Sequence, residues 1–402
     1  MVFANFNSKL YLHMHLYFKL TIMMLMLVIL FICRDGFSEN DPEQQKKINE
    51  AIDKGVNFLL KKGPKGRESE LVVLTLLHAG VDPKENSVLS QGITQIVNAT
   101  TKETYRVAVA LMVLEMVDRQ KYQSKIADLA QALVSSQCQN GQWDYQSKPD
   151  PATRLIIGKE PAELIEVITG TDASADKTVS SSGKQALKKI IVKRGEHKRP
   201  KNGDNSNTQF ALLGLRSAAR SGVVIPEETW KDAANFLEKN QLSSGGWTYD
   251  GKMGPNGPRV PYGSMTCACI CGLAIAKFYL KEDIQNNQSI QKGLSWLSGN
   301  LVFNQNPGEA NFFLMDNNWW HYYYIYGVER VGAVLNTNQI GNHQWYEEGV
   351  QYLLQAQNAK DGSWNNTTDA GSNIILDTCF ALLFLKKATP KLKLKTVETG
   401  SK

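Results

Sequence analysis

The densest collection of reactive side chains is the run Asp316-Asn-Asn-Trp319-Trp320-His321-Tyr322-Tyr323-Tyr324-Ile325-Tyr326, followed by Gly327-Val-Glu329-Arg330. On a helix, Trp319, Tyr322, Tyr323 and Tyr326 share one face by the i, i+3, i+4, i+7 rule, and Trp320 and Tyr324 share another. A plain core helix uses Leu and Val. Tyr and Trp cost polar burial unless their O–H and N–H groups find partners, so this density reads as the wall of a ligand cavity. Packing between helices, with the hydroxyls satisfied locally, is the competing reading. His321, the only histidine in the run, is either a base or a hydrogen-bonded core residue. Glu329 and Arg330, one to two turns on, are placed to orient it or to pair with each other. Two lone acids are candidates for proton transfer: Asp316, just before the aromatic run, and Asp377, at the start of a late apolar stretch. Each is read more plainly as a helix cap or a satisfied polar residue.

Metal chemistry finds little support. Asp377-Thr-Cys379 supplies two ligand types, but without a third a catalytic zinc is not assembled, and no metal or other cofactor is expected. Cys138, Cys267, Cys269, Cys271 and Cys379 form no dense disulfide pattern and read as small core residues. A net charge of +6 over 402 residues, mostly spread along the chain, gives no nucleic-acid footprint.

These residues hang on a repeated framework. Gln137-Cys-Gln-Asn-Gly141-Gln-Trp143, Gln241-Leu-Ser-Ser-Gly245-Gly-Trp247 and Gln357-Asn-Ala-Lys-Asp-Gly362-Ser-Trp364 share a glutamine, a short turn and a tryptophan, and a degenerate copy is read at Ser298-Gly299-Asn300. Each copy follows an amphipathic helical stretch and precedes one that is apolar nearly all round and so reads as buried. Pairing the two kinds predicts six hairpins: 48–60 with 70–79, 87–98 with 104–117, 124–136 with 205–220, 228–240 with 263–280, 289–298 with 320–335, and 345–356 with 374–387. The fold class is all-α, and closure into two concentric layers matches the alternation better than an open solenoid.

The repeated turn before a buried helix resembles the prenyltransferase and squalene-oxidase repeat over Ile48 to about Lys387, and the chain is most similar to squalene-cyclase-like bacterial proteins of unassigned role. The resemblance implies an α/α toroid of the terpenoid cyclase and protein prenyltransferase kind. It also implies that Gln137, Gln241, Gln357, Trp143, Trp247 and Trp364 are structural, tying one outer helix to the next. Cyclases of this family that protonate an alkene carry an Asp-x-Asp-Asp cluster, which the chain lacks, and the Cys-Gly-Glu-Gln segment of thioester-forming toroids is also absent. Two carboxylates suffice for a glycosidase, and Asp144 and Asp250, beside the turn tryptophans, are the candidates for it.

The expected function is therefore a toroid that binds an apolar, isoprenoid-like small molecule, or a peptide or protein, without cyclase chemistry. The alternative is a terpene cyclase-like or other enzyme of the central cavity with Asp316 or Asp377 as acid, the aromatic run stabilising cationic intermediates. The expected cavity residues are Trp319, Trp320, Tyr322, Tyr323 and Tyr326.

Three segments lie outside the repeat. Residues 146–203 form an insertion with Pro149, Pro151 and a basic run from Lys184 to Lys201, read as a solvated loop or a lid, with a short helix hinted at Ile156–Ile157 and Ala162–Ile168. Residues 388–402 form a basic tail. Residues 1–38 read as a signal peptide, because an apolar run from Leu20 to Cys33 is short for a membrane span and Gly36 and Ser38 suit the −3 and −1 positions of a cleavage site. An uncleaved membrane anchor is the alternative, and either reading places the toroid outside the cytoplasm. Mass spectrometry of the protein recovered from its host is expected to find a mature N-terminus at Glu39; an intact Met1 in a cytoplasmic fraction would refute export.

Overall fold

The computed structural model describes residues 41–146, 156–161, 187–195, 200–250, 260–308, 319–366 and 373–392. The leader, Asp316 and residues 162–168 lie outside the described residues. Two units are distinguished, Met1–Lys47 and Ile48–Lys402. In the first, residues 42–47 open helix α1 (Pro42–Lys62), with Lys47 paired to Glu43 one turn back.

The second unit holds the rest of α1 and eleven further helices: α2 (Ser69–Ala79), α3 (Ser87–Asn98), α4 (Thr104–Asp118), α5 (Gln123–Ser136), α6 (Asn205–Arg220), α7 (Glu227–Lys239), α8 (Gly263–Tyr279), α9 (Gln288–Asn300), α10 (His321–Val334), α11 (Trp345–Ala356) and α12 (Ile374–Leu385). Even-numbered helices touch in sequence, α2 to α4, α6, α8, α10 and α12, and α12 packs back on α2, so the ring is closed. Odd-numbered helices lie outside it with one face buried. This is the expected α/α toroid of six hairpins in two layers. Segregation follows from side-chain type: α8 is buried along almost its whole length, whereas α9 buries only Ile290, Gly293 and Leu297.

The repeated turn is a clasp built three times. Each tryptophan is buried, and its indole Nε1 donates to a carbonyl in the last turn of the preceding outer helix: Trp143 to Leu133 at 2.7 Å, Trp247 to Leu237 at 2.7 Å, Trp364 to Leu353 at 2.9 Å. Those carbonyls belong to the group that a helix end leaves without an intrahelical partner. The tryptophan's own backbone N–H donates to a threonine Oγ1 in the first turn of the next inner helix: Thr208, Thr266 and Thr378 at 3.1, 3.2 and 3.1 Å. The glutamine spans the remaining gap. Its Nε2 donates to the turn glycine carbonyl and to a carbonyl of the next outer helix: Thr229 for Gln137, Ser289 for Gln241 and Ala51 for Gln357. The Gln357–Ala51 bond joins the last turn to the first outer helix and so locks the ring.

The fourth copy is displaced. Ser298-Gly299-Asn300 completes α9 rather than forming a turn, and the clasp falls in the residues after it. There Phe303 takes the tryptophan's place: its Cε1 would lie 2.8 Å from a Cβ at Gly349, as the Cζ3 atoms of Trp247 and Trp364 would from Gly293 and Gly55.

The insertion departs from expectation as well. Ile156–Pro161 is a strand, β1, not part of a helix; it pairs antiparallel with β2 (Lys188–Ile191), which runs parallel to β3 (Val223–Val224). Consecutive β-branched residues favour extended backbone, and α5 offers them an edge of side chains. Gln123 Nε2 donates to Lys188 O at 2.8 Å, and Lys193 N donates to Gln131 Oε1 at 2.9 Å, so two glutamines act as a substitute strand. The C-terminal boundary also shifts. Residues 388–392 are not a free tail: Thr389 and Leu392 are buried, and Arg216 donates to the carbonyls of Pro390 and Lys391.

The clasp glycine has two requirements that can be separated. Gly141 has φ +97°, and a Cβ there would lie 2.2 Å from the Asp232 carbonyl oxygen of α7. Gly80 has φ +92° and open space around it. Gly80→Ala is expected to cost ~1 kcal/mol of conformational strain in urea unfolding, and Gly141→Ala about 3 kcal/mol because the outer helix must also be displaced. Equal losses would show that the close approach is not a constraint.

Candidate functional site

Because each hairpin reverses the chain, all six inner helices start at the same end of the ring. Their first turns enclose a cavity of about 630 Å³, a size typical of small-molecule sites. Val109 of α4, Phe210 of α6, Phe380 of α12 and Tyr323 of α10 line it, the first three a turn or more into their helices. Tyr145, Asp250, Val260, Trp319 and Trp320 line it from the loops.

Acidic residues at the mouth are matched by partners. Arg106 grips the buried Glu70, with Nη2 2.8 Å from Oε1 and Nε 3.0 Å from each oxygen, and Ser69 Oγ adds a bond at 3.0 Å. Glu70 correspondingly raises the Arg106 pKa. Arg67 pairs with Glu103 at 3.0 Å, and Asn373 Nδ2 donates to Glu68 at 3.1 Å, across the seam where α12 meets α2.

From Tyr105, next to Arg106 on α4, runs a chain of hydroxyls. Tyr105 OH lies 2.6 Å from Ser206 Oγ, which lies 3.2 Å from Tyr323 OH, which donates to Gln209 Oε1 at 2.8 Å. One hydrogen bond behind the wall is Asp204, the N-cap of α6, receiving Asn207 N and Nδ2 at 2.8 Å each and also bonded by the Tyr249 hydroxyl. Burial pushes the Asp204 carboxyl up to about 6 in spite of these donors. Tyr249 in turn meets Tyr145 OH at 2.6 Å.

Asp204-Asn-Ser206-Asn207 has the spacing of an Asp-x-Asp-Asp cluster with one acid where that motif has three. A search for clustered carboxylates passes over such a window. The threonine of the clasp would have found it: Ser206, Ser264 and Leu376, each two residues before Thr208, Thr266 or Thr378, all line the cavity.

The aromatic run divides. Trp319, Trp320 and Tyr323 line the cavity; Tyr322 and Tyr326 do not. The helix starts only at His321, after Trp320 in a left-handed conformation (φ +57°), so the tryptophans do not share the helical face expected of them. Tyr322 turns to Tyr352 and Asp377, and Tyr326 stacks on Phe380 with centroids 5.9 Å apart. His321 belongs to the displaced clasp. Its Nε2 lies 2.7 Å from the Phe303 carbonyl and its Nδ1 3.4 Å from Asn366 Nδ2, so the ring donates at one nitrogen and accepts at the other. Asp377 is buried beside the cavity residue Leu376, and its Oδ2 accepts Asn366 N at 3.0 Å. Of the paired acids, Asp250 lines the cavity and Asp144 does not; the Asp144 carbonyl instead receives Thr104 Oγ1 at 2.5 Å. Burial pushes the Cys379 thiol up to about 12, and among the described residues no three His, Cys, Asp or Glu side chains converge as metal ligands.

Glu329 and Arg330 neither orient His321 nor bond to each other. Glu329 accepts Thr389 N at 2.9 Å and Thr389 Oγ1 at 2.7 Å, with burial raising its pKa to about 7. Arg330 is fully buried, its guanidinium carbon 4.3 Å from the Tyr326 ring centroid, 5.2 Å from Phe210 and 5.3 Å from Tyr323. None of its three nitrogens has a hydrogen-bond acceptor among the described residues.

Burial lowers the His321 pKa to about 4 from 6.5, so the fold favours the neutral ring. That contribution is complete above pH 6.5 and is lost as pH falls from 6.5 towards 4, on the order of 3 kcal/mol at the acid end. His321→Gln, which keeps a donor for the Phe303 carbonyl, is expected to reduce the slope of stability against pH in that window. His78 is shifted in the same direction and leaves a residual slope. An unchanged slope, read by urea unfolding at a series of pH values, would refute the assignment.

No family model and no curated protein matches the chain. Solved structures do. The chain is similar to the type II terpene cyclase MstE from Scytonema in its apo form, at 12% identity and a TM-score of 0.46 over 85% of this chain and 99% of that one. A variant of that enzyme in complex with its product, merosterolic acid A, gives 12% and 0.49 over 86% and 98%. Another, in complex with its substrate, geranylgeranyl dihydroxybenzoate, gives 11% and 0.49 over the same shares.

Proposed function

We propose that the chain is an exported toroid that holds an apolar, isoprenoid-like small molecule in its central cavity and does not cyclise it. The observation that carries this reading is the combination of an apolar interior with a single carboxyl, Asp204, in the window that spaces Ser206 and Asn207 after it. Protonating an isolated alkene needs an acid far stronger than one whose pKa burial has raised to about 6. Starting from an allylic diphosphate needs clustered aspartates for a metal, and the cavity wall offers Asp250 alone. A second argument concerns charge. Arg330 sits against Phe210 and Tyr323, two rings that line the cavity. At ~8 Å and an effective dielectric of about 20, a carbocation there would be destabilised by ~2 kcal/mol.

A second reading has one specific observation behind it. Asp204 titrates near neutrality and connects through Tyr249 to the cavity wall, an arrangement suited to general acid–base catalysis of a less demanding reaction.

Binding of geranylgeraniol, followed by calorimetry, is expected in the wild type and weakened at least tenfold in Val109→Trp, whose side chain fills the cavity. Squalene, and geranylgeranyl diphosphate with magnesium, are expected to be recovered unchanged. Undiminished binding in Val109→Trp would move the ligand elsewhere. A product that disappears in Asp204→Asn, Asp316→Asn or Asp377→Asn would establish the enzyme reading instead.

A further inference from the structure

The Arg330 guanidinium is a buried cation without a hydrogen-bond acceptor among the described residues, and taking a charge out of water without one is costly. Among the described residues the one carboxylate coupled to it electrostatically, Glu329, makes no hydrogen bond to it and is held instead by neutral donors. Glu329 spends both oxygens on Thr389, and the other guanidinium of this region, Arg216, is likewise buried and faces backbone carbonyls of the C-terminal segment. Gln209 Nε2 is a further donor without a nitrogen or oxygen acceptor, two bonds along the hydroxyl chain from Ser206. Around Tyr323 the unmet groups among the described residues are thus donors, while at the cavity wall Asn207 Oδ1 and Thr248 Oγ1 are unmet as well.

Above Arg330 the helix backbone contributes a field of the same sign. Six inner helices present their N-terminal turns to one cavity, and a helix N-terminus carries roughly half a positive charge from its aligned peptides. Glu70 and Glu103 at the rim are offset by Arg106 and Arg67. Between the rim and Arg330 stand Tyr105, Ser206 and Tyr323, whose hydroxyl chain can reverse: when Ser206 donates to Tyr105, the Tyr105 proton is free to turn into the cavity.

We infer that the ligand of the cavity is an amphiphile whose apolar chain ends in a carboxylate, received by the Tyr105 hydroxyl, which Ser206 orients by donating to it, over the buried charge of Arg330. This rests on the binding reading above and names the chemistry of its ligand. A carboxylate fits better than a diphosphate, because Arg106 and Arg67 on the cavity wall are committed to Glu70 and Glu103, a second and third negative charge would meet Glu68 and Asp250, and the described residues hold no metal-binding cluster.

The test compares four probes on one C20 chain, namely geranylgeranoic acid, geranylgeraniol, geranylgeranylamine and geranylgeranyl diphosphate, by calorimetry at pH 8 below their aggregation thresholds. The acid is expected to bind at least tenfold more tightly than the amine and more tightly than the alcohol, with the diphosphate weaker than the acid. In Arg330→Met the acid-to-amine ratio is expected to fall towards one. Ser206→Ala, at a site that carries no buried charge, gives the same comparison should the Arg330 variant not fold, with the ratio reduced severalfold. An amine that binds as well as the acid overturns the inference while leaving the cavity reading intact, as does a ratio unmoved in both variants. A diphosphate that binds more tightly than the acid overturns the carboxylate. Failure of all four probes overturns the cavity reading and the inference together.

Discussion

The bond from each turn tryptophan to the end of an outer helix is the constraint on which the rest of the architecture depends. An outer helix must stop so that the chain can enter the ring, and stopping strands its last carbonyls in an environment with no water. The indole N–H of Trp143, Trp247 or Trp364 answers one of these carbonyls while its ring fills the space between two helices. The same residue's backbone N–H then fixes a threonine in the first turn of the inner helix. One residue thus sets where the outer helix ends, where the inner helix begins and how far apart they lie. Repetition of that geometry brings the sixth inner helix back against the first.

Closure has an electrostatic consequence that no single hairpin shows. With every inner helix entering from the same rim, six positive helix ends meet at the cavity, and side chains with acceptor character collect around them: Asp204 and Asn373 as caps, Glu70 in the first turn of α2, and Glu68 and Glu103 just before α2 and α4. Most of these acceptors are committed to neighbouring donors. The space between them is lined mainly by Leu, Val, Met and aromatic rings. Such a site favours a ligand that is apolar for most of its length and bears one acceptor of its own.

How much of this could be read from sequence depended on whether the signal was local. The hairpins were legible because apolar periodicity and a glutamine–glycine–tryptophan turn are properties of short segments, and helix ends were placed within a few residues. The fourth turn was misplaced because Phe303 fills the tryptophan's space without an indole N–H, and His321 holds it by donating to its carbonyl where a threonine elsewhere accepts the tryptophan's N–H, so neither residue looks like the motif it replaces. The strand at Ile156–Pro161 finds its partner at Lys188–Ile191, and that partner is held in turn by Gln123 and Gln131, far from it in sequence. In the aromatic run, the composition announced a cavity but not its orientation. A helix that begins at His321, so that Trp319 and Trp320 lie before it, changes which rings face inward, and Tyr322 and Tyr326 turn to other contacts.

The role of Arg330 was the least legible feature, and it changes how the aromatic run is understood. Tyr323, Tyr326 and Phe210 could stabilise a transient cation in the cavity by presenting their π faces to it. Those faces already hold a permanent one. A guanidinium at 4.3 to 5.3 Å from three ring centroids draws on the same quadrupoles that a carbocation would require, and it adds a repulsion that a carbocation would have to overcome. Burial raises the pKa of the Tyr323 and Tyr105 hydroxyls and Arg330 offsets only part of that rise, so both keep their protons; Tyr323 gives its proton to Gln209, and Tyr105 is the donor able to turn towards an acceptor in the cavity. An interior organised in this way discriminates between charge types before any catalytic group is considered. It is suited to an anion at rest and poorly suited to a cation in transit, so the chemistry the toroid can support is limited first by Arg330 and only then by the scarcity of acids around it.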